Sequence, residues 1–301
     1  MQGITYKDAL KQDNQDFKDT IIFVNGEFVR KSDAVISVYD SGFQHGDGVY
    51  EGIRAYGDKI FALQEHIDRL YDSCKVTDIK LELPKEELAE IVRELVRRNV
   101  KLGFQNIHMR LQVTRGFKRQ TGMHPSVNIS SYSVVICADE KPPIFPENGI
   151  SIVTTHFRRY SPTYLDAKIH SCNQLNQILA SIEAARQGAQ EAIMLDESGF
   201  VAETNSTNIQ YIKGNKLFLP KEDYMLPGIT RRIIKQIAKE KNLEVIEKNC
   251  SLLEFYTADE VFVTGTVGEV VPFCVVLTLH FVYIITIGNL FQNKNNFRKV
   301  Y

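Results

Sequence analysis

The chain lacks a charge excess of either sign. Its Lys and Arg number 36 and its Asp and Glu 37 over 301 residues, a formal net charge of -1. Without a basic surplus there is nothing to neutralise a run of phosphates, which argues against a nucleic-acid partner. Cysteine is scarce as well. The five present (Cys74, Cys137, Cys172, Cys250, Cys274) are odd in number and none sits in C-x-x-C spacing, so reduced thiols in a cytosol-like compartment are expected, and no metal site. The first 20 residues have no apolar run of the kind that starts a secretory signal. Polar and mixed in charge, they predict a mobile extension. What is present is a 44% hydrophobic composition over a length that usually divides into two domains with real cores.

Periodicity places the elements. Ile21 to Val24 and Glu27 to Val29 flank Asn25-Gly26, a strong hairpin-turn signal. Leu63 to Ser73 and Pro84 to Val100 read as amphipathic helices, the second with proline at its start and arginines late. Asn106 to Gly116 alternates as a strand, which puts His108 and Arg110 on one face. An apolar strand from Tyr132 to Ala138 runs into Lys141-Pro142-Pro143-Ile144-Phe145-Pro146, which breaks regular structure. The expected division is therefore an extension over 1–20, a small domain over 21–140, a linker over 141–149 and a larger domain over 150–274. A tail occupies 275–301.

Residues 151–208 organise the larger domain. An apolar, β-branched strand begins at Ile152. Lys168 follows a polar connection, just ahead of a helix whose apolar face carries Leu175, Ile178, Leu179, Ile182 and Ala185. Gly188 closes that helix, Glu191 to Leu195 is a strand, and a further strand runs toward Glu203 after Ser198-Gly199. A lysine at a helix start and a glutamate at a strand end are thereby expected on rigid elements. Taken singly, each has an ordinary reading: Lys168 as an exposed lysine, Glu203 as an acid bonding local backbone amides. Further on, Leu226-Pro227-Gly228-Ile229-Thr230 opens a helix, where free amides and the dipole form an anion site.

These stretches together resemble the class IV (fold-type IV) pyridoxal-phosphate aminotransferases over roughly residues 20 to 274, with the branched-chain members closest. The carriers are E-G-I-R-A-Y at 51–56, H-x-x-R-L at 66–70, D-x-K-x-x-x-x-N at 166–173, V-A-E-T-N at 201–205, L-P-G-I-T-R at 226–231 and G-T-V at 265–267. The resemblance implies an α/β (α+β) fold: a small N-terminal α/β domain and a larger C-terminal domain with a β-barrel-like core. It implies pyridoxal 5'-phosphate as cofactor and Lys168 as the Schiff-base lysine and proton shuttle. Glu203 would face the ring nitrogen, and Arg69, Gly228, Ile229, Thr230 and Thr266 would hold the phosphate. Tyr50, His45, Arg110, Gly265 and Val267 are implied on the substrate side. The activity implied is transamination between a branched-chain L-amino acid and 2-oxoglutarate, in a homodimer; a cytoplasmic location is expected from the lack of a clear targeting signal. D-amino-acid aminotransferases and aminodeoxychorismate lyases share the fold and stay open as alternatives. The first is lowered by the lack of an R-x-H pair after Arg115; His108 stands where branched-chain members carry tyrosine.

After Phe273 the resemblance stops. Residues 270–291 hold no formally charged side chain, a length sufficient to span a bilayer. Three readings compete: a membrane anchor, a pair of core strands favoured by β-branched content, or a read-through or frame-shifted tail. The last is favoured. It carries the expectation of poor solubility and the further alternative of an inactive binding protein.

Overall fold

The computed structural model describes residues 19–142, 144–146, 149–277 and 282–284. The expected extension thus lies almost wholly outside the described residues. So does the tail, except for Val275–Leu277 and Val282–Ile284.

The first sheet comprises β1 (Ile21–Val24), β2 (Glu27–Arg30), β3 (Gly48–Tyr56), β4 (Lys59–Ile60), β5 (Asn106–Thr114) and β6 (Ser133–Glu140), in the order β2-β1-β6-β5-β3-β4. Every pairing in it is antiparallel. The β1–β2 turn places Asn25 at φ 46° and Gly26 at φ 103°, left-handed values that Asn-Gly adopts readily. Three helices accompany this sheet: α1 (Ser41–His45), α2 (Leu63–Val76) and α3 (Lys85–Lys101). Ile67 and Leu70 of α2 and Leu88, Val92 and Leu95 of α3 pack on Ile53, Met109 and Leu111. Strand alternation does the rest. In β5 the odd positions from Ile107 to Val113 face those helices, so His108, Arg110 and Gln112 are left on the opposite face.

The second sheet has nine strands: β7 (Ile150–Arg158), β8 (Glu191–Leu195), β9 (Val201–Thr204), β10 (Asn208–Lys213), β11 (Lys216–Pro220), β12 (Glu244–Lys248), β13 (Glu260–Gly265), β14 (Glu269–Leu277) and β15 (Val282–Ile284). Its main path runs β12-β11-β10-β13-β14-β7-β8-β9. The sheet curls into a half-barrel, bringing β9 back against β10 and β11. Its helices are α4 (Leu175–Arg186), α5 (Ile229–Glu240) and α6 (Leu252–Tyr256).

Two sequence expectations change here. The α4 stripe of Leu175, Ile178, Leu179 and Ile182 does not face the core; these side chains are 66%, 52%, 37% and 41% exposed. The covered face is the small one, Ala180 and Ala184, which lets the helix lie close on Val153 and Met194. The apolar stretch from Val270 to Leu277 belongs to a strand in mid-sheet, paired with β13 on one side and β7 on the other. Over those residues the chain is a paired strand, with Val271 and Phe273 buried. Among the described residues no helix is long and apolar enough to cross a membrane.

One side chain stitches the two sheets. Arg54 of β3 is fully buried and donates to the carbonyls of Lys141 (2.7 Å) and Val267 (3.2 Å), while Tyr56 donates to Glu269 at 2.5 Å.

Candidate active site

A cavity of about 340 Å³ opens where the free face of β5 meets the half-barrel, within the size range of small-ligand pockets. At one end stands an anion cradle. Gly228 is the N-cap of α5 and no side chain caps the helix, so the first-turn amides are unclaimed by a cap. Thr230 Oγ1 is buried and makes no hydrogen bond with the described residues. Gly228, Ile229, Thr230, Gly265, Thr266 and Val267 all line this cavity.

Arg69 lines the same end. Its guanidinium is clamped by Glu51, with Nε 2.8 Å from Oε1 and Nη2 2.7 Å from Oε2, and Nη1 donates to the Pro227 carbonyl at 2.7 Å. Glu51 is wholly buried and also meets His66 Nδ1 at 2.7 Å and His170 Nδ1 at 3.2 Å. Burial alone raises a carboxyl, but His170 and Arg69 outweigh it and hold Glu51 well below the usual carboxylate range. His170 is itself shifted downward by burial, with Glu51 opposing. Arg69, two-pronged on Glu51, is the permanent charge among these partners.

Glu203, at the end of β9, lies across the cavity from the cradle. Arg159 Nη2 is 2.5 Å from Oε1, which also accepts from the Leu226 amide at 3.3 Å, and Oε2 accepts from Asn208 Nδ2 at 2.9 Å. Burial pushes this carboxyl upward and Arg159 pulls against it.

The remaining wall comes from the first sheet. The Arg110 guanidinium sits 3.6 Å from the centre of the Tyr50 ring, whose other neighbour is His170 at a 4.0 Å ring separation. His108 stands beside Arg110. Burial, with Lys141 and Arg54 nearby, lowers the His108 pKa to about 4. An imidazole depressed below its unfolded value of 6.5 contributes stability that is present above pH 6.5 and lost as pH falls toward 4. The stability of wild type relative to His108→Gln, measured from pH 7.5 to 4 (roughly the window spanned by the two values), should therefore fall by up to about 3 kcal/mol toward the acid end. Parallel pH profiles would remove the buried-imidazole account.

Two expected site residues are not brought here. His45 ends α1 in an exposed position and lines neither this cavity nor the smaller one beside Glu203. Lys168 is the weightier correction. It lies in the connector before α4, not at the helix start, so no helix dipole acts on it. Its side chain is 43% exposed, with Nζ 3.8 Å from Asp166 Oδ1. Asp166, Ala167, Ile169 and His170 line the cavity next to Glu203, whereas Lys168 does not. Reasoning from sequence also misses Glu51, Arg159, Asn208 and His170. For Glu51 a signal exists: a carboxylate inside the apolar run of β3 must be paired if that strand is buried.

An anion cradle facing a buried acid across a curled sheet is the architecture of the fold-type IV pyridoxal-phosphate enzymes. Comparison with known proteins agrees. The model of the family described as Amino-transferase class IV matches residues 48–276. The chain is 44% identical over 254 residues to the branched-chain-amino-acid aminotransferase-like protein 2 of Arabidopsis thaliana, covering 84% of this chain and 45% of that protein. It is 42% identical over 252 residues to a putative branched-chain-amino-acid aminotransferase of Methanocaldococcus jannaschii, covering 83% and 86%. Among solved structures, the branched-chain aminotransferase of the thermophilic archaeon Thermoproteus uzoniensis with norvaline superposes with a TM-score of 0.84 at 28% identity, covering 94% of each chain. The chain belongs to the class IV aminotransferases. It spans about half the length of the Arabidopsis relative.

Proposed function

We propose that this chain binds pyridoxal 5'-phosphate in the cavity and serves amino-group transfer between a branched-chain L-amino acid and 2-oxoglutarate. The observation that carries the reading is the convergence of the α5 cradle, Arg69 and Glu203 on one space. When bound, the cofactor supplies a ring that accepts the electrons released at the amino acid's Cα. The amides of Ile229 and Thr230, the hydroxyls of Thr230 and Thr266, and Arg69 would hold its phosphate. Glu203 would hold a proton at the ring nitrogen; its Oε2 accepts one bond, from Asn208, among the described residues. Arg110 takes the substrate carboxylate, and Phe145 and Val267 wall the space for an apolar side chain. These residues fit the phosphate and the ring. The covalent lysine does not fit, because Lys168 is outside the cavity.

The same reading takes the two sheets as the two domains, divided over 141–149. It takes the exposed Leu175, Ile178, Leu179 and Ile182 face of α4 as the contact with a second copy of the chain.

The test is oxo-acid formation from L-leucine, L-valine and D-alanine with saturating cofactor and 2-oxoglutarate. Conversion of the L-branched donors supports the reading; conversion of D-alanine alone replaces it with the D-specific alternative. Arg110→Met should raise KM for the amino acid about 10–100-fold, the loss of a charge-assisted bond, with cofactor affinity unchanged. A weakened cofactor with unaltered KM would move Arg110 off the substrate.

A further inference from the structure

The connector from Tyr160 to Gln174 decides which side chain stands beside the reacting end of the cavity. Its last part is sewn to β3. The Tyr50 amide donates to the His170 carbonyl at 2.9 Å, the Cys172 amide donates to the Gly48 carbonyl at 2.9 Å, and Ser171 forms an antiparallel bridge with Val49. His170 N also donates to Ser73 Oγ at 3.3 Å. Upstream, Ile169 N bonds the Asp166 carbonyl at 3.1 Å and Lys168 N bonds Asp166 Oδ1 at 2.9 Å, closing a tight turn that points Lys168 outward. For Lys168 to take the place of His170, the segment must slide by two residues and break all of these bonds. Register is strongly specified where one side of a segment is buried, as it is here at Ala167, with the His170 side chain 14% exposed.

His170 is therefore fixed between Glu51 and the Tyr50 ring. To donate to the Glu51 carboxylate its Nδ1 must carry a proton. An imidazole has no primary amine. Condensation with an aldehyde forms a C=N bond and releases water only when the nitrogen brings two hydrogens, so His170 cannot make the bond a lysine makes. Among the described residues the lysine lining the large cavity is Lys141, at the His108 end.

We propose that this chain holds the B6 cofactor without a covalent bond to any of its own lysines, with His170, locked to Glu51 and β3, filling the position a bonding lysine would need. The proposal rests on the functional reading above and narrows it. Holding by phosphate, ring nitrogen and packing does not distinguish the aldehyde from the amine form of the cofactor. Pyridoxal phosphate and pyridoxamine phosphate should then bind within about tenfold of each other.

The experiment uses the full chain. Equilibrium dialysis measures both vitamers, and borohydride reduction with equimolar pyridoxal phosphate, followed by peptide mass mapping, finds any covalent attachment. The proposal expects both vitamers to bind and dialyse away and no reduced adduct on Lys168 or Lys141. Lys168→Ala should bind as wild type, and His170→Lys should gain an adduct at position 170. A wild-type adduct on Lys168 or Lys141, abolished by the matching alanine variant, overturns the proposal and leaves the cofactor reading intact. His170→Lys that binds the cofactor without gaining an adduct overturns the placement of residue 170. Binding of neither vitamer to wild type sinks the functional reading and this inference with it.

Discussion

Glu203→Ala should lower the unfolding free energy by about 3–5 kcal/mol and abolish measurable cofactor binding, the largest effect expected of any single change in this chain. The reason lies in what it leaves behind. Arg159 is 4% exposed, and among the described residues its Nε and Nη1 have no hydrogen-bond partner. The carboxylate of Glu203 is the anion it meets, at 2.5 Å. Removing that carboxylate strands a guanidinium in a low-dielectric interior, a cost well beyond that of losing one neutral hydrogen bond. Arg159→Met should cost a comparable amount by stranding the acid. The double variant should cost markedly less than the two singles together, because neither charge is then left alone. Urea unfolding of the four proteins closes the cycle. Additive losses would show that the pair is not coupled, and losses under about 1 kcal/mol would show that the site is wetter than its burial implies. On the reading proposed above, changing residue 203 also removes the acid at the ring nitrogen, so cofactor affinity and stability should fall together for Glu203→Ala. For Arg159→Met, where the acid remains, stability should fall more than affinity.

The parts of the fold that are legible in the sequence are those in which local chemistry and tertiary demand coincide. Asn25-Gly26 turns because left-handed backbone is cheap there, whatever surrounds it. Helices α2 and α3 and the alternating β5 announce their buried faces through periods of 3.6 and 2. Leu226 to Thr230 announces an anion site because a helix start has free amides wherever it occurs. Periodicity says that a face is apolar and not what covers it, so it assigns the Leu175–Ile182 stripe of α4 to the core when the stripe is exposed. The lysine is misplaced for a different reason. Between Tyr160 and Gln174 the chain has no long periodic element. Whether residue 168 or residue 170 faces the cavity is settled by the Ser171–Val49 bridge, a pairing more than 120 residues apart in sequence. The motif offers residue 168, and the register puts residue 170 at the cavity wall instead. Arg159 and Asn208 escape notice because each acts on Glu203 from a separate strand end, with no spacing to mark it.

Gly228→Ala is expected to have the second-largest effect, and for a steric reason independent of charge. Gly228 has an ordinary helical-entry backbone at φ -66°, so its role is not conformational freedom. A Cβ built there falls 1.8 Å from Asn208 Oδ1 and 3.1 Å from its Cγ. Asn208 cannot retreat without loss: its Nδ2 donates to Glu203 Oε2 at 2.9 Å and to the Leu226 carbonyl at 3.0 Å, tying the acid to the turn that precedes the cradle. One methyl group therefore acts at both ends of the cofactor site. Either Asn208 swings away and Glu203 loses a donor, or the start of α5 moves and the amides of Ile229 and Thr230 leave the phosphate position. Overpacking of this kind costs about 1–3 kcal/mol of stability. Loss of one charge-assisted bond to the cofactor site weakens binding by about 10–100-fold. Dialysis of pyridoxal phosphate against Gly228→Ala reads the affinity, and the double variant Gly228→Ala/Asn208→Ala separates the two routes. Truncating Asn208 removes the clash, so α5 should return to place and phosphate affinity should recover in part, while the donor to Glu203 stays lost. Recovery of nothing would mean that the helix start does not tolerate a side chain at all. Wild-type affinity in Gly228→Ala alone would refute the cradle.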